Sequence, residues 1–319
     1  MRVFHKLAEV PADFGPTLLS VGNFDGVHRA HTHVIREIVS RAHSKEAARA
    51  ARAVVVTFEP HPVRILRPDS GLKLITPTPE KLRLLEASGL DAVVLLPFTR
   101  DLSLMTPRQF ANDILRKALN AREVHEGYNF HFGHKASGTV ETLADFGREM
   151  GFEVRTYPEM KLRGETVSSS QIRKLIQAGR VSRARHLLAR PFAILSSAGR
   201  GRGYGSKYTV PTINLSRYEE LVPKDGVYIT YTRVGEECFD SVTNVGNRPT
   251  FGAESFAIET HLLNFHPIEL TAQTEVEISF LERLRDEIKF PSIDALREQI
   301  ACDVKRSRRY FHLAGLQRR

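Results

Sequence analysis

The chain has 319 residues, 41% of them apolar, and 46 Lys and Arg against 37 Asp and Glu give a net charge of +9. It has no run of about 18 apolar residues to cross a bilayer, and its start, MRVFHKLAEVPADF, has no apolar core of a secretory signal. Cys238 and Cys302 make neither a disulfide framework nor a metal spacing, so a cytoplasmic protein without a membrane partner is expected. The length suits two domains.

The first half alternates two periods. TLLSVG (17–22) reads as a buried strand and HVIREIVSRAH (33–43) as a helix. AVVVTF (53–58) and DAVVLLPF (91–98) are strands, with helical PEKLRLLEASG (79–89) between them. TPRQFANDILRKAL (106–119) opens with an N-cap threonine and a proline at the first helical position. AREVHEG (121–127) and FEVRTYP (152–158) read as two more strands around a helix near 139–150. This alternation predicts a parallel sheet with helices on both faces.

After about residue 190 the pattern turns β-rich: GVYITYTRV (226–234), CFDSVTNVG (238–246), FAIETHLLNF (256–265) and TEVEISFLERL (274–284). An antiparallel sheet or small barrel follows, closed by a helix over 291–312. The joint falls near LLARPFAI (187–194), after helical SSQIRKLIQAG and VSRARHLLA, which sets domains of 1–186 and 187–319.

The stretch SVGNFDGVHRAHTHVI (20–35) sits at the carboxyl end of the first strand, where open α/β sheets bind ligands. Gly22 and Gly26 let backbone approach a ligand. A helix starting around Ala30 to His33 turns its free N–H groups toward an anion. His28 and His31, three apart, share a helical face and can donate to a phosphate gaining charge. The same pair would suit a metal, although no HExxH or third ligand accompanies it, or a polar loop. His33 points elsewhere.

GNFDGVHRAH resembles the GxFDGxHxGH motif of nucleotidyltransferases, with Ala30 in place of a glycine. TFEPHPVRI (57–65), EGYNFHFGHKASGT (126–139) and VSSSQIR (167–173) resemble bacterial FAD synthetases, with Asn129 in place of the commoner aspartate. The resemblance implies ATP binding by Gly22, Asn23, Phe24, Asp25, Gly26, His28, His31, Asn129, Ser168, Ser169, Ser170 and Arg173, with His28 and His31 catalytic. It implies flavin binding by Phe58, His61, Pro62 and Asn129. The serines and Arg173 also have the chemistry for phosphate at a helix start, or for a plain N-cap.

GRGRGYGSKYTVPTINL (199–215) is no Walker loop and resembles the ATP loop and PTAN motif of riboflavin kinases, with Thr209 replacing a glycine. The resemblance implies ATP binding by Gly201, Gly203, Gly205, Lys207, Thr212 and Asn214, and Mg²⁺ at Thr212 and Asn214. IETHLLNF (258–265) brings the family's general base onto Glu259, and FLERLRDEIKF (280–290) its flavin-side arginine onto Arg285. Read without the family, Glu259 is one acid on a strand among apolar neighbours.

These resemblances, in order along the chain, imply a bifunctional riboflavin kinase and FMN adenylyltransferase of the bacterial FAD synthetase family. Its fold would be a Rossmann-like nucleotidyltransferase domain followed by a six-stranded antiparallel β-barrel with a terminal helix. ATP, Mg²⁺, riboflavin and FMN are the implied small molecules, with no nucleic-acid partner. Three rivals remain open: a relative with one activity only, another nucleotidyltransferase with an unrelated β domain, and a non-enzymatic RNA-binding protein that uses the GRG run and the net charge of +9.

Overall fold

The computed structural model describes residues 1–44, 51–198, 212–216, 218–247, 256–266, 271 and 274–315. They form two compact units, Met1–Ser169 and Ser170–Arg319.

The first unit is built on six strands: β1 (Arg2–Phe4), β2 (Thr17–Val21), β3 (Arg52–Glu59), β4 (Ala92–Pro97), β5 (Ala121–Gly127) and β6 (Glu153–Tyr157). All pair in parallel, in the order β1-β4-β3-β2-β5-β6. The chain therefore runs from β2 outward to β4, then crosses back to the other side of β2. The order reverses between β2 and β5, and a crevice opens there at the carboxyl ends.

Both faces of this sheet are covered, which is why its strands read as continuous apolar runs. Leu18, Ala53, Val55 and Val93 pack on Ile35 and Ile38 of helix α1 (Arg29–Ala42) and Leu85 of helix α2 (Thr78–Glu86). The alternate residues Leu19, Val21, Val54, Val56, Val94 and Val124 meet Leu143 of helix α3 (Val140–Met150) and, from the helical segment Phe110–Ala118, Ile114 and Leu115. Each fully buried aliphatic side chain contributes about 1.5–3 kcal/mol.

Some expectations needed adjustment. The helix expected over 33–43 begins at Arg29, because His28 caps it. Thr106 caps the helix that starts at Pro107, as expected, and Gln109 completes a capping box with it. The following Phe110–Ala118 winds as a π-helix, and its wide turn buries Phe110, Ala111, Ile114 and Leu115 together. Strand β1 was not expected; three residues are too few for a period. Helices α4 (Ser169–Gln177) and α5 (Val181–Leu188) follow the sheet.

The second unit carries β7 (Phe192–Ser197), β8 (Thr212–Asn214), β9 (Gly226–Val234), β10 (Glu237–Asn247), β11 (Phe256–Leu262) and β12 (Glu275–Arg285). They pair antiparallel in the order β7-β12-β9-β10-β11-β8. A bridge between Ala198 and Leu215 and a bond from Ser216 N–H to Ser197 O at 3.0 Å join the two edges into a barrel. Helix α6 (Ile293–Leu313), capped by Ser292, lays Phe311 on Val227, Ile229, Val242 and Leu281. Strand alternation puts Thr230 and Thr232 on the opposite face, inside the barrel. There Thr230, Ser241, Thr232, Thr260 and Thr243, all buried, bond one to the next at 2.7–2.9 Å and close a ring.

Candidate functional site

Residues 22–28 leave β2 beside the crevice. The loop has left-handed backbone at Phe24 (φ 48°), Gly26 (φ 87°) and Val27 (φ 37°), conformations that only Gly26 adopts without strain. It ends in His28, whose Nδ1 accepts the His31 N–H at 3.4 Å. His28 is thus the N-cap of α1 rather than a member of its face. The neutral His28 ring then carries its proton on Nε2. The expected partnership still holds by stacking: the His28 and His31 rings lie 3.6 Å apart at 13°. Phe24 supports His31 from a centroid distance of 4.9 Å. His33 is exposed, with its ring edge-on to Tyr157.

The segment before and into α2 grips this loop from below. Asp25 is buried, and its Oδ1 accepts the N–H groups of Ile75 at 2.9 Å and Thr76 at 3.0 Å. The Gly26 N–H donates to Thr76 Oγ1 at 2.8 Å. Lys81 Nζ donates to Asn23 O at 3.3 Å and Thr57 Oγ1 at 3.2 Å. The Asp25 carboxylate, expected at ATP, is therefore used to fix the loop. Thr76 and Lys81 were missed from sequence. One signal existed: Lys81 stands four residues before buried Leu85, on the same helical face.

The other predicted residues have the following places. Gly22 N–H donates to Val56 O at 3.0 Å. Ser169 Oγ donates to Asp25 O at 2.8 Å, which ties the start of α4 to the loop. Ser168 precedes that helix, while Ser170 and Arg173 belong to the second compact unit. Asn129 is exposed, two residues beyond the end of β5. Phe58 stacks edge-on against Phe98 at 5.5 Å. His61 is buried and caps the turn of Pro62–Leu66, accepting from Val63 N–H at 3.2 Å. Gly133, directly after the NFHF run, has φ 73°, and a Cβ there would lie 2.6 Å from Pro107 N.

Two buried ionisable groups lie on β5. Burial pushes the Glu126 carboxyl well above its usual range, against the Val21 N–H at 2.6 Å and the Ser20 hydroxyl, which favour its charge. Burial also lowers His125 to about 4, although Glu123 beside it pulls the other way. Glu123 would be raised by burial, but Arg41 and Arg155 outweigh that and hold it at about 2. Arg41 binds it with two bonds of 2.8 Å.

In the second unit, register brings the kinase residues together. Asn214 on β8 and Asn244 on β10 both lie opposite Glu259 on β11. Paired residues share a face, and Thr212, two residues from Asn214, lies on it as well. Glu259 is half-buried and Thr212 exposed. Arg285 is committed elsewhere: its Nε and Nη2 donate to Asp303 Oδ2 on α6 at 2.9 and 2.8 Å. Gly201, Gly203, Gly205, Lys207 and Thr209 lie outside the described residues.

A family model described as FAD synthetase matches residues 11–171, and one described as riboflavin kinase matches residues 188–311. The bifunctional riboflavin kinase/FMN adenylyltransferase of Escherichia coli K12 is 30% identical over 314 residues, 98% of each chain. The Bacillus subtilis enzyme of the same name is 32% identical over 318 residues, again 98% of each. A crystal structure from Streptococcus pneumoniae, called a macrolide-efflux protein, matches at TM-score 0.84 and 26% identity, over 96% of this chain and 98% of its own. No helix among the described residues here is long and apolar enough to cross a membrane. With both models in order along the chain and relatives of one name spanning its length, the chain belongs to the bifunctional riboflavin kinase/FMN adenylyltransferase family, which phosphorylates riboflavin to FMN and adenylylates FMN to FAD.

Proposed function

We propose that the crevice between β2 and β5 is where AMP passes from ATP to FMN, and that His28 and His31 are its catalytic residues. The observation that carries this is their stacking at the N-terminus of α1, beside the point where the strand order reverses. The FMN phosphate is already a nucleophile and needs no strong base. It attacks the α-phosphorus of ATP, and pyrophosphate leaves. His28 Nε2–H, His31 and the first N–H groups of α1 stabilise the charge that builds on the phosphate. Gly22 to Gly26, Asn129, Ser168 to Ser170 and Arg173 hold ATP in this reading. Phe58, His61, Pro62 and Asn129 take the flavin.

In the second unit Glu259 is the general base. Its carboxylate takes the proton of the riboflavin 5′-hydroxyl as that oxygen attacks the γ-phosphorus and ADP leaves. The cross-strand pairing of Asn214 with Glu259 supports the assignment. The hydroxyl of Thr212, the amide oxygen of Asn214 and the nearby carboxylate form a hard-oxygen set that fits Mg²⁺. When bound, the ion offsets the charge of the ATP phosphates. Gly201, Gly203, Gly205 and Lys207 complete the ATP loop, and Arg285 supports the riboflavin side through its hold on α6. The functional boundary is proposed at 186/187, and the two free cysteines suit a reducing, cytoplasmic setting.

The test is incubation with riboflavin, ATP and Mg²⁺, with flavins separated over time. FMN should appear first and FAD after it, and a chelator should stop both. FMN alone, or FAD only from added FMN, would leave one half of the assignment without support.

A further inference from the structure

Lys81 is 5% exposed, yet among the described residues no carboxylate lies within ion-pair distance of its ammonium. Two of its three N–H bonds have acceptors, Asn23 O and Thr57 Oγ1. Thr57 Oγ1 itself donates to Asn23 O at 3.2 Å, so the three groups form a triangle under the loop that leads to His28. A buried cation without a partner is costly. A leucine on this helical face would pack beside Leu85 without that cost. What distinguishes the position is the loop above it, in a unit whose two substrates, ATP and FMN, are both phosphate anions.

We propose that Lys81 is a positioning residue of adenylyl transfer: through Asn23 and Thr57 it sets the loop from which His28 and His31 project, and its charge faces the anionic substrates from below. The inference rests on the assignment of His28 and His31 to that site. Burial lowers the ammonium's affinity for its proton, while Glu59, at the end of β3, and Asp25, on the loop, act in the opposite direction.

The experiment compares FAD formation and FMN formation in the full-length protein and in Lys81→Met, Thr57→Val and His28→Ala. A misplacement of about 1 Å costs up to ~10²-fold, so Lys81→Met should lower kcat of FAD formation by that order. KM for ATP and FMN should stay within about threefold, with riboflavin phosphorylation unchanged. Thr57→Val keeps the charge and removes one side of the triangle, and should lower the same kcat several-fold. Lys81→Arg, which cannot lose its proton, should extend FAD formation to higher pH. If Lys81→Met does not fold, Thr57→Val decides. Values of kcat within twofold in both variants, or an effect confined to KM, would overturn the proposal. If His28→Ala also leaves kcat intact, the site assignment itself fails; if only His28→Ala collapses it, the role of Lys81 alone is refuted.

Discussion

Arg285 and Asp303 form a buried ion pair that pins helix α6 to strand β12. Their side chains are 15% and 3% exposed, and Gln299 Nε2 donates to the other carboxylate oxygen at 3.0 Å. Removing one partner of such a pair leaves a buried charge and costs about 3–5 kcal/mol. Arg285→Ala should therefore lower the unfolding free energy of the second unit by that order, read in urea as a lower midpoint. The paired change Arg285→Met with Asp303→Leu should recover most of it. Riboflavin KM measured on the paired variant then separates the two roles: a raised KM in a stable protein would assign Arg285 to the flavin, and an unchanged KM would make it purely structural.

His28→Ala should reduce FAD formation by about 10²–10³-fold and leave FMN formation intact. Glu259→Ala should do the reverse. Separate assays on riboflavin and on FMN check both. If either substitution abolished both activities in a folded protein, the assignment of one reaction to each unit would be wrong.

The Arg41–Glu123–His125 network makes the first unit sensitive to acid. His125 has a folded pKa of about 4 against an ordinary 6.5, so between those values the unfolded chain binds the extra proton. Stability then falls as pH drops through that window. Glu123, held at about 2 against 4.5, extends the loss further down. Calorimetry of the wild type should show Tm falling from pH 6.5, and His125→Phe should flatten the upper part of the curve, down to about pH 4.5. An unchanged slope would mean His125 is not buried neutral.

Glu126 has the opposite sign. Burial raises its carboxyl well above the ordinary range, so the fold binds that proton more tightly than the unfolded chain does and Glu126 weakens the wild type as pH rises above the ordinary carboxylate range. Glu126→Gln keeps the acceptor for Val21 N–H without that penalty. Its Tm advantage should be near zero around pH 4 and grow toward pH 8. Glu126→Leu leaves Val21 N–H unpaired and should cost about 1–3 kcal/mol.

Much of this was legible in the chain itself. Continuous apolar runs such as AVVVTF require burial on both faces, and that predicts a parallel sheet. The Thr106–Pro107 helix start is a local pattern, and the structure has it as expected. What escaped were pairings between distant residues. The bond from the Thr76 N–H to Asp25 Oδ1 spans 51 positions. The pairing of Arg285 with Asp303, 18 positions away, was likewise not legible. Lys81 passes for a solvated helix charge because nothing in PEKLRLL announces the loop above it. His28 was placed on the helix face because spacing alone does not distinguish a cap from a first turn.

The hydroxyl ring inside the barrel has a consequence for proton order. Five hydroxyls hold five protons, and five contacts join them. Each group can donate once and accept once if all O–H bonds run the same way round. Thr243 Oγ1 donates to Thr260 Oγ1, which sets the sense, and the Thr230 carbonyl, 2.9 Å from Ser241 Oγ, competes for the Ser241 proton. The orientation of any one hydroxyl is thus set by the other four. A Thr→Val change at one position opens the circle for all of them, so a second such change should cost less than the first.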